Sequence, residues 1–189
     1  MRKLSLMLGI WLLIAVGLGA AGWIQFLRPP WPQGVILALA GVLIFCFRRA
    51  PGFRIAVLSI PLSSLVAFHG VRLVGFYLIY LSAHGRLPRA FALPAGTGDV
   101  AIASGAVLLV LFWRKLSPAM LGVWNVFGLI DIVMVIASAA RLAWLRPGSM
   151  TALLQLPLSL LPTFVLPLIL FTHYVIFVRL LARRPAPVA

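Results

Sequence analysis

Six long apolar runs, separated by short clusters of basic residues, constrain this chain more than any other feature. They cover residues 4–26, 31–47, 55–81, 98–113, 119–145 and 151–177. A helix needs about 20 apolar residues to cross a bilayer, and about 17 suffice. The second and fourth runs are the shortest, which leaves room for a re-entrant or tilted piece shielded by its neighbours. Of the 189 residues 63% are hydrophobic, the mean hydropathy is +1.15, and only 10% are charged, against roughly 25% in soluble domains. The expected fold class is therefore all-α: a polytopic transmembrane helix bundle of about six spans. Residues 1–178 form one domain in the lipid bilayer, and 179–189 a basic, disordered tail.

The formal charge is +14, from 16 Lys+Arg against 2 Asp+Glu. Such a balance suits nucleic acid, but its distribution does not. Arg2-Lys3, Arg48-Arg49 with Arg54, Arg114-Lys115, and Arg179 with Arg183-Arg184 each flank an apolar run. Flanking clusters are the signature of membrane topology, so no nucleic-acid partner is expected. With the N-terminus inside, those ten residues fall on the cytoplasmic side, and Arg28, Arg86, Arg89, Arg141 and Arg146 on the outer side. Ten against five places both termini in the cytoplasm. The first run has a rival reading, because its basic start and the small residues near Ala20 resemble a signal peptide. Its apolar stretch continues through Trp23 to Phe26, which suits a retained helix better. Cys46 is the lone cysteine, so no intrachain disulfide forms.

Ionisable groups in hydrocarbon need a partner or a wet cavity. The third run carries His69 and Arg72, which share a helix face, and the fifth carries Asp131. At about 1.5 Å per residue, Arg72 and Asp131 reach similar mid-membrane depths, whereas Asp99 opens the fourth run near the outer surface. Arg72 is expected to pair with Asp131, with Asp99 as the competing partner. The candidate ligand-binding residues are thus His69, Arg72, Asp99 and Asp131. The face Leu65, Phe68, His69, Arg72, Phe76, Tyr80 is expected to line their surroundings. Residues 82–98 read as the longest outer loop, either a plain turn or a lid over Arg72. Pro157, Pro162 and Pro167 are expected to kink the sixth run.

No HExxH, paired cysteines, Walker loop or GxSxG elbow is present, which argues against an enzyme and gives no catalytic residue. Two carboxylates make a metal cage improbable, and no cofactor is expected. A haem held by His69 and His173 is disfavoured because the runs set these residues roughly 15 Å apart in depth. Two readings remain. One is binding or transport of a small anion or a proton at a polar site around Arg72. The other is a non-catalytic scaffold or assembly subunit, with a structural ion pair and a membrane-protein partner.

Two stretches, "RLVGFYLIYLSAHGRLPRAFALPAGTGDV" and "PLSLLPTFVLPLILFTHYV", resemble a set of small multi-pass bacterial membrane proteins without an assigned function. The likeness spans about residues 65–177. It implies a cell inner membrane location. It marks Arg72, Gly85, Leu87, Pro88, Pro94, Gly96, Asp99, Pro162, Pro167 and His173 as motif positions, and brings no activity with it.

Overall fold

The computed structural model describes residues 2–182, and all regular structure among them is helical. Seven helices are labelled here: α1 (Arg2–Ala20), α2 (Trp31–Arg49), α3 (Pro51–Leu58), α4 (Leu62–Ala83), α5 (Arg89–Leu111), α6 (Pro118–Leu145) and α7 (Leu161–Leu181). All but α3 are long and apolar enough to cross a membrane. Local chemistry sets their ends. Pro51 and Pro118 occupy first-turn positions, where no N–H is missed. Ser117 Oγ accepts from the Met120 N–H at 3.2 Å and caps α6. Gly85, at φ +70°, turns the chain out of α4.

Contacts between connectors define the two ends of the bundle. At one end Arg86 donates to Gln155 Oε1 at 3.4 Å, and the turn Trp23–Phe26 meets Thr151–Leu154. At the other, Arg179 of α7 donates to the Ile60 carbonyl, between α3 and α4, at 2.6 Å. The first is called the connector end and the second the termini end.

Several expected boundaries move. The first span stops at Ala20, and Gly22 (φ +74°) leads into a separate 3₁₀ turn. The second span reaches Arg49 and has 19 residues, enough to cross. The third is divided: Pro61 lacks an N–H and restricts Ile60, so α3 ends at Leu58 and α4 begins at Leu62. The fourth starts at Arg89, directly after Pro88, and Pro94 lies inside it. That leaves residues 84–88 as the connector, so the loop read over 82–98, whether plain turn or lid, is mostly helix. Packing of Ala92, Ala95 and Gly96 against α4 offsets the bond lost at Pro94. The sixth span starts at Leu161 rather than at 151 and continues to Leu181, so Arg179, expected in a tail, is helical. Residues 183–189 of that tail lie outside the described residues.

Two helices depart from α geometry. Residues His69–Val74 of α4 form a 3₁₀ turn, and Leu161–Val165 of α7 form a π turn. Pro167 has no N–H to give the Thr163 carbonyl, and the Trp11 indole of α1 donates to that carbonyl at 2.9 Å instead. A kink site thereby becomes the attachment point of α1.

Two apolar clusters fill the interior. The termini-end cluster includes Leu43, Phe47, Leu65, Trp124, Phe171 and Val175. The connector-end cluster includes Leu78, Leu81, Phe91, Met150 and Leu158. Buried polar side chains, among them His69, Arg72, Asp99, Asn125 and His173, lie between them along α4, α5, α6 and α7.

Candidate functional site

The 3₁₀ turn determines what α4 presents to the interior. Side chains three apart eclipse one another in such a turn. The buried positions accordingly run His69, Arg72, Gly75, Leu78, Leu81, every third residue. Phe76 and Tyr80, expected on the His69–Arg72 face, are exposed instead.

Gly75 brings α4 against α5. A Cβ on Gly75 would overlap the Gly96 carbonyl oxygen, and one on Gly96 would stand 2.6 Å from the Gly75 oxygen. The two helices are antiparallel neighbours in a hairpin. Three residues back from Gly75 is Arg72, and three onward from Gly96 is Asp99, so backbone contact at the glycines sets these side chains opposite each other. Arg72 Nε donates to Asp99 Oδ1 at 2.7 Å.

From α6 come the remaining partners. Arg72 Nη1 donates to the Gly128 carbonyl at 3.0 Å, and Nη2 donates to Asp131 Oδ2. Gly98 leaves the space that Asp131 occupies, since a Cβ there would overlap Asp131 Oδ1. The guanidinium is 1% exposed; the Asp99 and Asp131 side chains are 7% and 22% exposed. Arg72 therefore binds both aspartates, where a single partner was expected. Asp99 lies mid-helix, not near a surface, because α5 begins at Arg89 rather than at 98.

Next to this triad lies a second polar group. His69 and His173 have ring centroids 4.4 Å apart, with Trp124 at 5.0 Å from His69 and 6.0 Å from His173. The expected depth mismatch between the histidines is overturned: with α7 running from Leu161 to Leu181, both lie at similar distances from the termini end. Their rings touch, with no gap for the plane of a macrocycle between them. Thr172 Oγ1 donates to the Ile169 carbonyl at 2.9 Å and so accepts from His69 Nε2 at 3.2 Å. Asn125 Nδ2 donates to the His173 carbonyl at 3.1 Å, leaving its Oδ1 to accept from His173 Nδ1 at 2.8 Å. Asn125 thus bonds a neighbouring helix, as its place in an apolar run suggests.

Two members of the triad, Arg72 and Asp99, line a cleft of about 630 Å³. Arg72 and Asp99 lie at its base, and Ile36, Leu78, Phe91, Val135, Ile136 and Leu166 are among its walls. Gln25, Arg28, Gln33 and Thr151 line it near the connector end. Gln33 Oε1 is buried and has no hydrogen-bond partner. No group of three or more His, Cys, Asp or Glu side chains that could hold a metal occurs among the described residues.

A domain of unknown function, DUF8737, matches residues 29–181. The chain belongs to this family. The match covers α2 to α7 and therefore both polar groups, and it attaches no chemistry to them. No curated protein and no solved structure matches the chain.

Proposed function

We propose that this chain is a small-ligand-binding protein of the bacterial inner membrane. Its ligand has an apolar body and a hydrogen-bond-donating head. One observation carries the reading: an apolar cleft of ligand size ends on the buried Arg72–Asp99 pair. At the base of the cleft Arg72 and Asp99 balance in charge, Asp131 bonds Arg72 without lining the cleft, and Arg28 stands near the connector end. Three of the Arg72 donors are already engaged by acceptors. A small anion, the ligand class expected from Arg72 alone, would have to compete with both carboxylates. A donor head instead meets Asp99 at the floor and the open Gln33 oxygen on the wall. The termini-end apolar cluster closes the other side, so transport would require that cluster to open.

Dodecylamine, dodecanol and dodecanoate separate these possibilities in a thermal-shift titration of the purified protein. The amine is expected to stabilise saturably and the carboxylate not to. Asp99→Asn, and Ala139→Trp in the cleft wall, should each abolish the amine effect. Equal stabilisation by amine and carboxylate would refute the ligand class. Absence of any saturable effect, with normal cellular activity of Asp99→Asn, would leave the scaffold reading.

The orientation belongs to the same proposal. The basic clusters gather at the termini end, which is assigned to the cytoplasm. Reporters fused after Arg49, Arg114 and Arg184 should read cytoplasmic, and those after Arg28, Arg89 and Arg146 external. An inverted pattern would turn the cleft toward the cytoplasm.

A further inference from the structure

The cleft is charged at both ends and apolar between them. At its base lies the bonded Arg72–Asp99 pair, and at the connector end stands Arg28. Between these ends the α6 wall runs from Val135 to Ala143, and the α7 wall from Ile169 to Leu161. At the helical rise each wall offers about 12 Å of apolar lining. The two ends differ in charge. The sequence holds two acidic side chains, Asp99 and Asp131, and both are bonded to Arg72. No acidic side chain is left for Arg28, so the connector end carries an uncompensated positive charge while the base is a balanced pair. The Arg28 side chain is exposed, but its backbone is held in place. The Trp31 N–H donates to the Arg28 carbonyl at 2.9 Å, and the preceding turn Trp23–Phe26 meets Thr151–Leu154.

We infer, building on the ligand reading above, that the cleft takes a two-ended ligand: a long-chain molecule with a hydrogen-bond donor at one end and an acidic group, carboxylate or phosphate, at the other. The donor meets Asp99 at the base, the chain lies along the apolar walls, and the acid meets Arg28 at the connector end. A guanidinium suits either acid, because its fork of donors matches both geometries. The two ends of the ligand cannot exchange places. A donor set against Arg28 would face another donor. An acid set at the base would face Asp99 and compete for Arg72 donors that acceptors already hold. Dodecanoate has the acid without the donor, so it meets Arg28 only by setting a methyl group against the polar base, which is unfavourable. Dodecanol has the donor without the acid and leaves Arg28 unused.

The test is calorimetric binding of 12-hydroxydodecanoate and of dodecanol to the full chain in a non-ionic detergent. Arg28→Gln is expected to raise the Kd of the hydroxy acid about two- to fivefold, the range of an exposed charge pair, without a matching loss for dodecanol. Arg28→Lys should restore most of the loss, and high salt should mimic it by screening. Arg146→Gln removes a charge at the end of α6 that does not line the cleft, and should change neither Kd. Hydroxy-acid binding that ignores Arg28→Gln would overturn the proposal. An equal loss in Arg146→Gln would also overturn it, since the acid would then be drawn to a basic surface and not to Arg28. So would hydroxy-acid binding that ignores Asp99→Asn, which would leave the donor end without its partner at the base. Dodecanol that binds the unaltered chain, beside a hydroxy acid indifferent to Arg28, sinks this inference alone. Absence of dodecanol binding sinks the ligand reading, and this inference with it.

Discussion

The Arg72 triad and the His69–His173 pair are one 3₁₀ turn apart on the same helix, and the interior treats them in opposite ways. Around Arg72 the guanidinium edges meet two carboxylates and a carbonyl, and glycines on α4 and α5 make room for this. Around the histidines, half of the ring nitrogens are bonded and half are open. A buried charge that loses its partner is strongly destabilising, whereas a neutral ring nitrogen without one costs much less. The difference makes the triad the clamp between α4, α5 and α6 and gives the pair a smaller share of the stability.

The contrast is broken most severely at Arg72. Arg72→Gln strands two carboxylates in the interior and is expected to cost about 3–5 kcal/mol in a detergent unfolding titration. Adding Asp99→Asn and Asp131→Asn to it should recover much of that loss, since no buried charge then remains. A triple variant no more stable than the single one would mean that Arg72 acts through its packing and not through its charge.

Within the triad the expected effects are unequal. Asp99→Asn weakens a charge-assisted bond in the more buried position and should cost about 1.5–3 kcal/mol. Asp131→Asn, at the more exposed carboxylate, should cost less. Double-mutant cycles with Arg72 should give coupling to both aspartates, the larger to Asp99. A reversed order would locate the main anchor on α6.

The smallest effect is expected at the pair. His69→Gln exchanges one hydrogen bond, to Thr172, in a fully buried position, and should change stability by about 0.5–1.5 kcal/mol. A loss as large as that of Arg72→Gln would erase the distinction between clamp and open pair.

The membrane class and six spans were legible because twenty-residue apolar runs have few other uses. Counting residues also set Arg72 and Asp131 at one level, and the two are bonded. Asp99 and His173 were set at the wrong depth, for a common reason. Prolines read as loop or kink signals, yet Pro94 is accommodated inside α5 where small residues pack on α4, while Pro61 does end an element. Tertiary packing decides which proline breaks a helix, and a single sequence does not display it. Gly75 gave no signal, and Gly96 stood out through the family resemblance alone, with nothing to say what it meets. Only antiparallel pairing of α4 with α5 shows that they face each other and carry Arg72 to Asp99. The His69–His173 contact was hidden by the start of the sixth run, since ten residues of apolar connector look like helix.

The six 3₁₀ residues of α4 also have a mechanical meaning. Each such residue turns the chain about 20° further and advances it about 0.5 Å more than an α residue does. The segment is therefore a screw under fixed pitch. Relaxing all six residues to α geometry would rotate Gly75–Ala83 against Leu62–Phe68 by about 120° and draw the halves together by about 3 Å. Gly75 would leave Gly96, and the connector-end half of α4 would offer a different side to the cleft. Rotation and shortening of this segment are thus geometrically locked into one motion.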